Sequence, residues 1–167
     1  NSNYGVELVG KDVHQIVIYG NAFYSNGEGA DYRGISTPNY FGYPTQEGVV
    51  PPAISNLSPD STVTGTASSY ALIQIYADNH GEGQYFLDTT YADAAGNWSK
   101  KITIPVANHN LTALQEENQN TSAFSAMFVT PKDTLLVTTA GDGFTLGTLR
   151  YAMDYANNHP GPDSIKF

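Results

Sequence analysis

The sequence predicts an all-β protein built around a two-layer sandwich, and three observations predict it. Between residues 52 and 128, seven short runs of strand-forming residues recur at near-regular spacing with turn-forming residues between them. Charged residues make up only 14% of the 167-residue chain, while Gly, Asn, Ser, Thr and Tyr are plentiful, a balance that suits strands and turns. Cysteine is absent, so packing and hydrogen-bond ladders must stabilise the fold without disulfides, and no thiolate metal site exists. The pattern changes on either side of the seven runs, which divides the chain into residues 1–50, 51–130 and 131–167.

Over residues 3–35, short strands alternate with Asn or Gly corners. Val6 and Leu8 alternate, as do Ile16 and Ile18, and each pair is followed within a few residues by Gly or Asn, which accept the left-handed backbone of a sharp corner. Residues 36–52 hold Pro38, Tyr40, Phe41, Tyr43, Pro44, Pro51 and Pro52 and read as an irregular link whose prolines limit backbone freedom. The seven strands then fall at 52–57, 62–67, 71–77, 84–88, 97–104, 111–115 and 122–128, with turns at 58–60, 79–81, 93–97 and 118–120. Farther on, Leu149, Ala152, Met153 and Ala156 recur at helical spacing on one face, with Arg150, Asp154, Asn157 and Asn158 pointing away. Thr145 or Thr148 caps this helix, Pro160 and Gly161 stop it, and 164–167 returns to strand-like alternation. The chain thus reads as part of something larger, with a last domain that is opened and not finished.

Three stretches carry resemblances. The run from Leu136 to Ala152, with Thr138, Thr139, Asp142, Gly143, Gly147, Thr148, Leu149 and Arg150, resembles the start of bacterial right-handed parallel β-helix proteins. An amphipathic helix laid across the end of such a solenoid covers its apolar disc and unpaired edges. The amino-terminal run, with Gly5, Val6, Leu8, Ile16, Ile18, Gly20, Asn21, Phe23 and Asn26, resembles the last coils of another β-helix. That resemblance makes Asn21 and Asn26 corner residues and implies further coils before Asn1. The middle resembles the immunoglobulin-like modules of large bacterial surface and secreted proteins, on Val63, Gly65, Thr66, Ile73, Ile75, Tyr76, Ala77, Asp78, Tyr85, Leu87, Ala92, Asp93, Gly96, Asn97, Trp98, Ser99, Leu111, Thr112, Ala113, Asn120, Thr121, Ser122, Phe124 and Ser125. Together they imply an immunoglobulin-like β-sandwich between the end of one parallel β-helix and the helix-capped start of another. Trp98 is expected to pack across the sandwich with its N–H satisfied near an edge.

Chemistry is sparse. The formal net charge of -9 repels a phosphate backbone, which argues against nucleic acid, and no apolar run is long enough to span a membrane. His14, His80, His109 and His159 lie scattered without metal-site spacing, and no G-x-S-x-G elbow, phosphate loop or dinucleotide fingerprint occurs. Asp12, Asp31 and Arg33 are the nearest analogues of β-helix lyase groove residues, yet they are too few to assign an acid or a base, so no catalytic residue is named. Asp60, Asp78, Glu82, Asp88 and Asp93 lie beside Gly and Asn turns and are the candidates for a calcium site, although no D-x-D-x-D-G loop accompanies them. The sequons at Asn56, Asn97, Asn110 and Asn120 matter only in a glycosylating host.

The function expected is that of a non-enzymatic spacer or adhesion segment of a large extracellular or cell-surface protein, with neighbouring domains of the same polypeptide as its first partners. One alternative is an accessory or glycan-binding part of a β-helix polysaccharide lyase or hydrolase, with Tyr40, Tyr43, Tyr70, Tyr76 and Tyr91 as stacking candidates. Another is a subunit of a self-assembling extracellular filament.

Overall fold

The computed structural model describes residues 4–26, 34–38, 41–58, 60–103, 110–130, 134–158 and 163–167. Its centre is two antiparallel sheets. Strands β3 (Ala53–Leu57), β4 (Thr62–Thr66) and β7 (Asn97–Lys101) form one, in the order β3-β4-β7. The other runs β6-β5-β8-β9, from β5 (Leu72–Asp78), β6 (Tyr85–Tyr91), β8 (Asn110–Glu117) and the short β9 (Asn120–Thr121). Alternation dictates what lies between them: Val63 from β4, Ile73, Ile75 and Ala77 from β5, Trp98 from β7, and Leu111 and Ala113 from β8 are all buried in one cluster. Burying an aliphatic side chain of this size contributes about 1.5–3 kcal/mol, so this cluster is the main source of the sandwich's stability.

Gly65 on β4 faces Trp98 on β7, and a Cβ added to it would lie 2.4 Å from the indole and 2.0 Å from the Ala53 carbonyl oxygen. The missing side chain is therefore what lets the ring lie flat across the neighbouring strand. Trp98 is 3% exposed, and its Nε1 is buried without a hydrogen-bond partner among the described residues, not satisfied at an edge as expected. The ring sits too deep among hydrocarbon side chains for its N–H to reach an acceptor. Leaving that N–H unpaired costs about 1–3 kcal/mol, whereas burying the ring's roughly 150–250 Å² contributes about 4–6 kcal/mol. Packing wins.

The predicted strand at 122–128 has a different form. Backbone bonds run from Ser122 N to Gln115 O, from Ser125 N to Ala113 O, and between Phe128 and Leu111 in both directions, so three residues advance for every two on β8. Regular alternation is lost because serine hydroxyls enter the ladder. Ser122 Oγ accepts from Gln115 N at 3.0 Å, and Ser125 Oγ accepts from Ala113 N at 3.0 Å. Each hydroxyl donates onward to the next residue's carbonyl, Ala123 or Ala126. The edge is a pair of serine-filled bulges that bend the chain away from straight pairing.

Two short parallel pairs flank the sandwich. β1 (Val6–Glu7) pairs with β2 (Ile35–Ser36), and β10 (Thr134–Leu136) pairs with β11 (Ser164–Lys166). Between β10 and β11 runs α1 (Leu149–Asn158), whose start is capped by Thr148: its Oγ1 accepts from Tyr151 N at 3.2 Å. The buried helix residue is Ala152, whereas Leu149 and Met153, expected on the covered face, are 41% and 51% exposed. Tyr151, Tyr155 and Ala156 are half-buried, so the covered face is rotated by a fraction of a turn toward the tyrosines.

Candidate functional site: the joint on the outer sheet face

Strand β5 is buried on both faces. Beyond Ile73, Ile75 and Ala77, its residues Gln74, Tyr76 and Asp78 are 0–1% exposed on the side facing away from the sandwich core. The amino-terminal segment covers that side: Ile18, Phe23 and Ile35 join Tyr76, Leu114 and Phe124 in a second apolar cluster, with Val6 and Leu8 packed against it. Aromatic edges dominate it. Tyr76 meets Phe124 at 5.2 Å between ring centroids and 88°, and Phe23 meets Phe124 at 5.9 Å and 74°. Gly34 admits the close approach, since a Cβ there would lie 2.1 Å from the Glu82 carbonyl oxygen and 2.8 Å from the Phe124 ring.

Three buried glutamines join the layers. Gln74 Nε2 donates to Ile18 O at 2.8 Å, while its Oε1 accepts from Gly20 N at 2.8 Å and from the Tyr76 hydroxyl at 3.0 Å. Gln46 sits in the tight turn Thr45–Gly48 with left-handed backbone (φ 52°); its Oε1 accepts from Ile16 N at 3.1 Å and its Nε2 donates to Ile16 O. Gln115 donates to Val50 O at 2.7 Å and accepts from Ser68 N at 2.9 Å. A carboxamide has the donor and acceptor of a peptide group, so each glutamine stands in for a missing strand neighbour. Asn120 and Thr121 add to this through Oδ1 to Gln15 N at 2.6 Å and Oγ1 to Ile18 N at 2.9 Å. Burial pushes the Tyr76 phenol's pKa up, so it remains a hydrogen-bond donor.

The carboxylates read from the sequence are engaged one by one. Asp78, 1% exposed, accepts from the backbone N–H groups of His80, Glu82 and Gly83, and so holds the loop after β5. Glu82, 4% exposed, accepts from Asn26 N at 3.2 Å and Asn26 Nδ2 at 3.3 Å, tying that loop to the amino-terminal segment. Asp60 takes the hydroxyls of Ser58 and Thr62, and Asp93 takes the N–H groups of Ala95 and Asn97. Asp88 on β6 meets Lys100 on β7 at 2.9 Å across the open side of the sandwich. Asp93 lies in the turn that follows β6, at the opposite end of the sandwich from Asp78, about 20 Å along a seven-residue strand. Among the described residues, no three His, Cys, Asp or Glu side chains gather as a metal site requires.

Of the other candidates, Asp12 is exposed beside Lys11, and His14 and His80 are exposed. Asp31, Arg33, Tyr40, His109 and His159 lie outside the described residues. Tyr76 belongs to the core and cannot stack on a sugar; Tyr43, Tyr70 and Tyr91 are exposed.

Local donors hold three carboxyls below their ordinary range: Ser58 and then Thr62 at Asp60, Lys100 and then Thr89 at Asp88, and Arg150 at Asp142. A depressed native pKa means stability that is present above the unfolded value of 3.8 and lost as pH falls through the native value. Thermal midpoints are therefore expected to hold from pH 7 to about 5 and to drop below about 4. Asp88→Asn should remove part of that acid dependence; an unchanged profile would contradict the Lys100 pairing.

Among the described residues, two concave surfaces away from this joint stand out. One, of about 460 Å³, runs over the outer face of the three-stranded sheet between Ser55, Thr64, Thr66, Asn97, Ser99 and the exposed Tyr91. The other, of about 420 Å³, lies between α1 and the loop before it, where Arg150 pairs with both Asp142 oxygens at 2.7 and 2.8 Å and lies 5.6 Å from the Phe144 ring centroid. Compared with protein-family models and with curated proteins, the chain matches none.

Proposed function

We propose that this chain is a stiff, non-enzymatic segment of a large extracellular or cell-surface protein, and that it sets the direction between neighbouring parts of one polypeptide. The observation that carries the reading is the joint: a shared aromatic cluster and buried glutamines fix the amino-terminal coil onto the sheet. A joint of that kind transmits orientation, because the coil cannot swing without exposing apolar surface and unpairing buried polar groups. The division of strands, with the first, second and fifth facing the other four, supports the immunoglobulin-like reading of the middle. The two parallel pairs support coils on either flank.

Pulling single molecules through their two ends tests it. The expected trace has one cooperative event that includes residues 4–38 together with the sandwich. Early release of the amino-terminal segment at low force would remove the proposed role.

A second reading has its own observation in the groove beside Tyr91. Among the described residues the side chains of Ser55, Thr64, Thr66, Asn97 and Ser99 make no hydrogen bond, and they line that groove next to an exposed ring, a suitable chemistry for a neutral sugar. Binding on a glycan array that Tyr91→Ala abolishes would favour it; silence on the array favours the spacer.

A further inference from the structure

Residues 16–19 run without turn or bend between left-handed backbone at Gln15 (φ 56°) and at Gly20 (φ 63°). Their hydrogen bonds alternate. The N–H groups of Ile16, Ile18 and Gly20 and the carbonyls of Ile16 and Ile18 all turn toward the sheet, where Gln46, Gln74 and Thr121 receive them. The groups between them face the other way: among the described residues the N–H and C=O of Val17 and the N–H of Tyr19 have no partner, and the Tyr19 carbonyl has only the Asn21 side chain at 3.0 Å. Val17 and Tyr19 are 47% and 53% exposed beside this edge, and Ile16 is 40% exposed.

An extended segment with one edge paired and the other free is a template for a further strand. This one lacks the devices that usually blunt such an edge. No Asp, Glu, Lys, Arg or Pro occurs between residues 13 and 27, and Ile16, Val17, Ile18 and Tyr19 all favour the extended state. We propose that the edge docks a second copy of the same segment, antiparallel, about a two-fold axis at Ile18. In that register Val17 exchanges both its backbone bonds with the second copy's Tyr19, and Tyr19 does the same with the second copy's Val17, so every outward-facing group is used. The cross-strand neighbours are then a β-branched side chain and an aromatic ring, a favourable pair. The occupant is a second copy because the uncharged edge is self-complementary. It lets two chains meet where neither presents a charged side chain, although each carries a net charge of -9.

Pairing so short an edge buries less than a standard interface of about 1,600 Å², so the dimer is weak, with a dissociation constant of about 0.1 mM or more. Added salt strengthens it by screening the like net charges. The test is sedimentation of the full chain from about 10 µM to about 1 mM, with amide exchange followed by NMR on the same samples. The expected result is a rising mean mass, with Val17 and Tyr19 amides protected only at high concentration while Ile16 and Ile18 stay protected throughout. Val17→Lys should weaken association at least tenfold with an unchanged melting curve. A monomer at every concentration overturns the proposal, as does association that survives Val17→Lys or leaves the Val17 and Tyr19 amides unprotected. Protection of these amides only when an unrelated extended peptide is added gives the edge to another protein and likewise overturns it. If Val17→Lys fails to fold, the concentration dependence of the wild-type amides decides alone.

Discussion

Replacing Gln74 by Leu is expected to cost about 3–5 kcal/mol and to loosen the amino-terminal segment from the sheet. The side chains are close in volume, so packing changes little, yet the substitution strands three groups at once: the Ile18 carbonyl, the Gly20 N–H and the Tyr76 hydroxyl. The Ile18 carbonyl and the Tyr76 hydroxyl are buried and cost about 1–3 kcal/mol each when left without a partner, whereas the Gly20 N–H is nearer solvent and costs less. Since a folded domain is stable by only about 5–15 kcal/mol, this one change consumes a large part of the margin. Guanidinium unfolding measures the loss, and hydrogen exchange locates it: the amide of Gly20 should lose protection while Ile73 and Ile75 keep theirs. Adding Tyr76→Phe removes one stranded hydroxyl, so the double variant should be less unstable than the sum of the two by about 1 kcal/mol. Strict additivity would show that Gln74 and Tyr76 are not coupled by the hydrogen bond between them.

The glutamine joint was not legible in the sequence, and the reason is physical. Within Ile73, Gln74, Ile75, Tyr76 and Ala77, alternation assigns the odd positions to the core and the even ones to water. That rule describes a sheet with one wet face. Here another part of the same chain covers the second face, and a polar side chain there is buried because it pairs with backbone from a segment 56 residues away. The one available signal was Tyr76 beside Gln74, since a large aromatic ring on the supposedly wet face hints that the face is covered. Six of the seven strand runs were legible because strand-forming residues bounded by turn residues mark each of them, even in β3, where a register shift puts Ile54 and Leu57, three apart, on the core side. The seventh failed where Ser122 and Ser125 put hydroxyls into the ladder, an event that periodicity does not encode. Helix α1 was readable in extent and cap, and its covered face in part: Ala152 and Ala156 are covered as expected, whereas Leu149 and Met153 are exposed. Leu149 and Met153 are the more hydrophobic residues, yet the small Ala152 is the one that is buried.

Local capping explains why the carboxylates misled as a group. Asp60, Asp78 and Asp93 stand beside turns because a carboxylate accepts N–H groups that a turn leaves unpaired, a requirement met within a few residues of each one. A sequence shows acidic residues near glycines in either case. Only the geometry separates a turn that uses its own carboxylate from several turns lending theirs to one cation.

Trp98 offers the second large effect, and its sign depends on the replacement. Trp98→Ala removes the largest ring of the sandwich core and should cost about 3–5 kcal/mol, since the sheets on either side relax only partly into the space. Trp98→Phe removes less area and also deletes the buried, unpartnered N–H, which returns about 1–3 kcal/mol. The two contributions nearly cancel, so the Phe variant should unfold within about 1.5 kcal/mol of the wild type. Gly65→Ala tests the same contact from the other strand. Its Cβ would meet both the indole and the Ala53 carbonyl, and backbone cannot give way as a flexible side chain can. That variant should therefore be as damaging as Trp98→Ala, and combining it with Trp98→Phe should recover only the part due to the indole. Full recovery would mean that strands β3 and β4 have room to separate, and the tight pairing of Ile54 with Gly65 would then be wrong.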